Sequence, residues 1–93
     1  MTLIDNGPRN GWRTAEQHPS LRQLVTKNGN VDSRLTYNNH YAESAVRNYE
    51  APMARRWTTT LIRIVDGVAF VGQGPTNDAA YRAARVAAGD PLT

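Results

Sequence analysis

Apolar residues recur along the chain at two periods, and the switches between them mark out its elements. In Pro19-Ser20-Leu21-Arg22-Gln23-Leu24-Val25 the apolar positions Leu21, Leu24 and Val25 share one helical stripe. Asn28-Gly29-Asn30 is a composition that ends helices, so a helix is expected over about 19–27. Leu35, Thr36 and Tyr37 suit a short edge strand within 31–38. Helical spacing returns at Tyr41, Ala45 and Tyr49, with Ala42 and Val46 beside them, and predicts a second helix over about 39–49, stopped by Pro52. Tyr41 and Tyr49 are expected in its core face.

The pattern then changes to strand. Trp57 to Val65 is dense in β-branched residues, Asp66-Gly67 is a pair favoured in two-residue type I′ turns, and Val68-Ala69-Phe70-Val71 returns. A β-hairpin over about 57–72 follows. Such a turn sets Val65 opposite Val68, Ile64 opposite Ala69 and Ile62 opposite Val71. Both faces are then apolar, with Arg63 lying among Leu61, Val65, Val68 and Phe70, so that a helix covers one face and the other is partly available. Thr76 is a plausible N-cap for a third helix over about 76–88, whose alanines at 79, 80, 83, 84, 87 and 88 permit close approach to a sheet. Asp78 near its start and Arg85 near its end suit the helix dipole, and Gly89 and Pro91 end it.

These elements define an α+β class: a small antiparallel sheet with a C-terminal β-hairpin, packed by three helices. At 93 residues the chain makes one domain, taken as 17–93. Residues 1–16 read as an N-terminal tail with turn signals at Asn6-Gly7-Pro8 and Asn10-Gly11, and Trp12 as its one anchor.

Composition narrows the chemistry. With no cysteine there is neither a disulfide framework nor a thiolate metal site. No apolar run approaches a membrane span and the N-terminus has no apolar signal region, so a cytoplasmic protein without a membrane partner is expected. Net charge is +3, and Lys27 is the one lysine among eleven basic residues. Arginine's planar fork suits phosphate, carboxylate and aromatic partners, so the charge permits nucleic-acid binding without demanding it.

Catalytic patterns are sparse. His18 and His40 are too few for a histidine-rich metal site, and Ser20, Ser33 and Ser44 stand in no nucleophile-elbow context. His40 and Glu43 share a face of the expected helix but define no mechanism alone. Gly72 and Gly74 form a lone G-x-G with no third glycine and no Walker lysine. No enzyme and no cofactor are expected.

The run Ile64-Val65-Asp66-Gly67, then Gly72-Gln73-Gly74, then Ala79, Ala83 and Ala84 resembles the second half of a double-stranded RNA-binding domain. In that family a β-hairpin leads through a G-x-G turn into a helix whose alanines pack on the sheet. Trp57 fits the aromatic residue that opens a strand there, and Pro19, Leu21 and Leu24 fit the first helix, so the resemblance spans about residues 19–88. It implies duplex-RNA binding by shape and backbone contact. The family's phosphate-gripping lysines fall at Asn77, Asp78 and Ala80 here, and the stretch between the first helix and Trp57 is longer than the family's. The same hairpin, turn and alanine helix is also a general way to pack a helix on a sheet.

Two partner classes follow. In the first, Arg47, Arg55, Arg56, Arg63, Arg82 and Arg85 replace the lost lysines, with Trp57 beside Arg55-Arg56, and the partner is nucleic acid or a nucleoprotein complex. In the second, the same residues form a protein-binding hot spot on a host protein. That reading is analogous, in size and composition only, to phage or mobile-element accessory inhibitors such as anti-CRISPR proteins. Arg55-Arg56 also reads as a solvated loop with Trp57 in the core. Self-association into a homodimer through the sheet face or edge is a further partner state.

Overall fold

The structure, a computed structural model, describes residues 11–14, 19–29 and 35–92. Among these the chain forms β1 (Arg13–Thr14), α1 (Pro19–Lys27), β2 (Leu35–Tyr37), β3 (Tyr41–Arg47), a 3-10 turn (Met53–Arg55), β4 (Trp57–Arg63), β5 (Ala69–Gly74) and α2 (Asn77–Ala87). The strands make one five-stranded antiparallel sheet in sequence order, each paired with the next. This is the expected α+β class, with more strand and one helix fewer among the described residues. Trp12 is buried, and Arg13 and Thr14, inside the segment read as a tail, pair with Tyr37 and Thr36. Residues 1–10, 15 and 16 of that segment lie outside the described residues, as do 30–34, where the strand over 31–38 was expected to begin.

The helix expected over 39–49 is instead β3. All seven of its residues pair with β4, from Tyr41 with Arg63 to Arg47 with Trp57. Tyr41 through Ala45 are all buried, because the strand is covered on both faces. A strand buried on both sides carries no alternation to read, and its small residues mimic helical spacing. The β-branched β4 also needs a ladder on each side, and that tertiary pairing overrides local propensity. The Asn38 side chain accepts from the backbone N–H groups of His40 and Tyr41, at 2.8 and 2.7 Å. It shapes a tight turn into β3 and caps no helix.

The β4–β5 pairing is shifted by two residues from the expected register. Ile62 faces Ala69 and Thr60 faces Val71. A type I′ turn needs positive φ at both central residues, and among the described residues only glycines adopt it. Gly67 does so, with φ of 73°, at the end of a longer turn in which its N–H donates to the Arg63 carbonyl at 2.7 Å. The Arg63 guanidinium grips the Asp66 carboxylate inside that turn. Ile64 donates to the His40 carbonyl at 2.9 Å, so it follows β3 and leaves β5. Val65, expected in the hairpin, is 86% exposed at the tip. A shift of two preserves the faces, and Arg63 still lies beside Phe70, with its guanidinium 5.1 Å from the ring.

The two helices cover opposite faces. On one, Val25 of α1 packs with Leu35, Ala42 and Ile62, with Leu24 and Ala69 alongside. On the other, Tyr81 and Ala84 of α2 pack with Leu61, Tyr41 and Trp12, while Ala80 meets Trp57 and Ala45. The Trp12 and Tyr81 rings meet edge to face at 6.0 Å. Thr76 caps α2, its hydroxyl accepting from the Ala79 N–H at 3.0 Å. The α2 backbone lies directly on β5: a methyl group on Gly72 would collide with the Ala84 nitrogen and the Ala80 carbonyl oxygen.

Backbone atoms cannot move aside as a flexible side chain can. Gly72→Ala is therefore expected to cost ~2–3 kcal/mol and to lower the melting temperature by roughly 10 °C or more. Gly74→Ala, whose added carbon meets first the Ala79 methyl at 2.8 Å, should cost less. Thermal unfolding followed by circular dichroism checks both; an unchanged Gly72→Ala melting curve would show that α2 does not sit on β5.

Candidate functional site

The segment between β3 and β4 makes one basic surface at one end of the sheet. The Asn48 N–H donates to the Arg56 carbonyl at 2.8 Å, and the Asn48 side chain accepts from the Glu50 N–H at 3.0 Å. Pro52 opens the 3-10 turn, in which no residue is buried. This closure sets the Arg56 backbone opposite Asn48, one step beyond the pair that Arg47, the last residue of β3, makes with Trp57. The Arg47 guanidinium lies 4.4 Å from the Tyr49 ring centre and 5.1 Å from that of Trp57. Trp57 is buried, whereas Tyr49 is 67% exposed. Arg55 is exposed; Arg56 is half-buried, with one Nη reaching the Ala51 carbonyl at 3.5 Å and its Nε buried without a hydrogen-bond acceptor. Among the described residues no carboxylate pairs with Arg47, Arg55 or Arg56. The N-terminus of α2 lies at the same end, since Asn77 donates to the Thr59 hydroxyl at 3.4 Å and Ala80 packs on Trp57.

The other three candidate arginines are held elsewhere, each by an acid. Arg63 makes contacts of 2.6 and 3.0 Å to Asp66 at the opposite end of β4. Arg82 binds Asp78 at 2.8 Å, one turn along α2. Arg85 reaches Asp90 at 3.0 Å and the Tyr81 hydroxyl at 2.7 Å. The seven candidates therefore divide: Arg47 and Trp57 are in contact, Arg55 and Arg56 lie in the loop that joins them, and Arg63, Arg82 and Arg85 are held elsewhere.

The structure adds Tyr49 and Met53, both exposed, to this surface. Tyr49, expected in a core, lies beyond the end of β3. Its signal was present in Asn48-Tyr49-Glu50-Ala51-Pro52, whose asparagine and proline bracket a loop.

A second polar locus lies at the far end. Asn39, His40, Tyr41, Arg63, Val65 and Asp90 line an open cleft of about 250 Å³. The Tyr41 hydroxyl donates to Asp90 at 3.0 Å. Burial, then the Asp90 carboxylate, raises the Tyr41 pKa above its ordinary value. Asp90 is pulled below the usual carboxylate range, first by the Tyr41 hydrogen bond and then by Arg85. Asp66 is lowered likewise, first by Arg63 and then by the Val68 N–H. His40 sits exposed in the β2–β3 turn, so it shares no helix face with Glu43, which is buried within β3. His18 lies outside the described residues, among which no three His, Cys, Asp or Glu side chains gather to hold a metal ion. No described helix is long and apolar enough to cross a membrane.

No family model, curated protein or solved structure matches the chain.

Both lowered carboxyls imply an acid-side dependence. A folded-state pKa below the unfolded value of about 3.9 gives stability that is present above that value and lost as pH falls through the folded pKa. Asp90→Asn should therefore shrink the loss of stability below about pH 4. Tyr41→Phe should move the Asp90 titration back up toward the ordinary range, measured by carboxyl-carbon NMR. An unmoved titration would show that Tyr41 does not hold Asp90.

Proposed function

We propose that this chain is a cytoplasmic, non-enzymatic binding protein whose target is nucleic acid, free or within a nucleoprotein complex. The grip would lie on the connection from β3 to β4 that carries Arg47, Tyr49, Arg55 and Arg56. The observation that carries this reading is the Arg47 guanidinium, which lies over both the Tyr49 and the Trp57 rings and has no carboxylate partner among the described residues. A braced guanidinium loses little freedom on meeting a phosphate, and the exposed ring beside it offers a base a face to stack on. The nearby start of α2 adds its dipole to the same potential.

The resemblance to double-stranded RNA-binding domains supports the same target class, with the grip displaced. Asp78 answers Arg82 where that family places lysine, so phosphate contact passes to the loop arginines. Duplex and single-stranded ligands are thus both to be tested, the exposed Tyr49 favouring unpaired bases.

A protein target, as for the phage inhibitors of similar size, is the second reading. Met53, 59% exposed in the same turn as Arg55, favours it, since Met and Arg are both enriched at protein interfaces.

Fluorescence anisotropy with labelled single strands and duplexes of RNA and DNA separates the two readings. Binding should weaken with salt, and Arg55→Ala and Arg56→Ala should each flatten the log–log slope by ~0.7–0.9. Tyr49→Ala should cost ~1–3 kcal/mol on single strands. If every strand and duplex is ignored at low salt, the nucleic-acid reading fails. Nuclease-treated capture of a stoichiometric protein complex would then support the second.

A further inference from the structure

The two margins of the sheet are unequal. β1 is two residues long and carries Arg13, whereas β5 runs for six residues, Ala69–Gly74, without a charge or a proline. β5 pairs continuously with β4, without a bulge, and has no strand on its outer side among the described residues, although the 3-10 turn Met53–Arg55 approaches it. Natural sheets blunt such margins with lysine, proline, bulges or a covering element, and β5 carries none of the first three.

The direction of its free hydrogen-bonding groups follows from the ladder. The Arg63 N–H donates to the Val68 carbonyl at 2.8 Å, so alternation turns Phe70, Gly72 and Gly74 toward β4. The N–H and C=O groups of Ala69, Val71 and Gln73 therefore point outward. Val71, the central one, is 55% exposed. On the α2 face the neighbours above this margin are small: Ala79 lies over Gly74 and Ala83 over Gly72. No long charged chain from those positions stands in the way of an added strand.

We propose that β5 is the pairing edge of a symmetric homodimer, independently of the nucleic-acid reading. A two-fold axis through Val71 sets Ala69 opposite Gln73 of the second copy and Val71 opposite its own counterpart. All three outward residues then become hydrogen-bonded pairs, forming about six bonds, and the Val71 side chains meet across the axis. A second copy fits for two reasons. The strand is uncharged, so self-pairing places no like charges opposite one another despite the net charge of +3. Among the described residues the short, charged β1 offers no matching ladder for head-to-tail extension, so the assembly closes at two.

Sedimentation of the full chain over a concentration series tests this, together with amide hydrogen exchange. A dimer is expected, with the outward amides of Ala69, Val71 and Gln73 more protected as concentration rises. Val71→Lys places two ammonium groups at the axis and should raise the dissociation constant by about tenfold or more, with an unchanged circular dichroism spectrum. Val71→Pro, which removes an N–H that β4 does not use, should also give a folded monomer. A wild-type monomer at high concentration would overturn the proposal. So would a dimer that survives both substitutions while those three amides exchange freely.

Discussion

Two backbones meet with almost nothing between them where α2 crosses β5, and the positions of the other groups follow from that contact. Gly72 and Gly74 present no side chain, and Ala79, Ala80 and Ala84 present at most a methyl. Burying such residues forfeits little side-chain entropy, so close packing costs less here than it would with longer chains. The approach brings Ala80 onto Trp57 and sends Tyr81 across Leu61 to Trp12. Trp57 is thereby pinned as a floor, and Arg47 lies on it. The geometry of the candidate surface is thus set by two glycines on another strand, neither of which belongs to it.

Chain separation to an acid decides which arginines remain available. Asp66 stands three residues after Arg63, Asp78 four before Arg82, and Asp90 five after Arg85, and each turn or helix end closes the pair. The first two pairs are exposed and add little stability. Their consequence is to neutralise the hairpin tip and α2, while 47–56 keeps three arginines, as α1 keeps Arg22 and Lys27. Glu50 is the one acid in that stretch, and none of the three arginines bonds to it. Part of a modest net charge lies in this way at one end of the sheet.

The parts legible in the sequence were those where one local rule acted alone. The threonine cap, the alanines and the glycines of 72–88 agree with one another and with the structure, and so do Leu21 and Val25 in α1. β3 was not legible, because Ala42, Ser44 and Ala45 carry no strong preference and the strand is chosen by what β4 needs on its other side. The hairpin register depended on the Arg63–Asp66 bond and on Ile64 pairing with His40, neither of which a dipeptide turn signal contains. For the site, residue type was readable and availability was not. Arg63 and Arg55 look alike until the fold shows which one has an acid within reach.

The unequal margins bear on that surface too. An axis through Val71 in a β5 pair stands perpendicular to the sheet, so both copies keep α2 and Arg47 on the same side. Arg47 lies two strands inward from β5, and its partner Trp57 pairs with Gly74, three residues from Val71. Strand spacing and rise then separate the two guanidinium surfaces by roughly 30 Å. Two grips facing the same way at that span would engage one extended polyanion together, and the second contact would form at high effective concentration. In such a pair, a surface that is weak as a single site would gain by avidity what it lacks in charge.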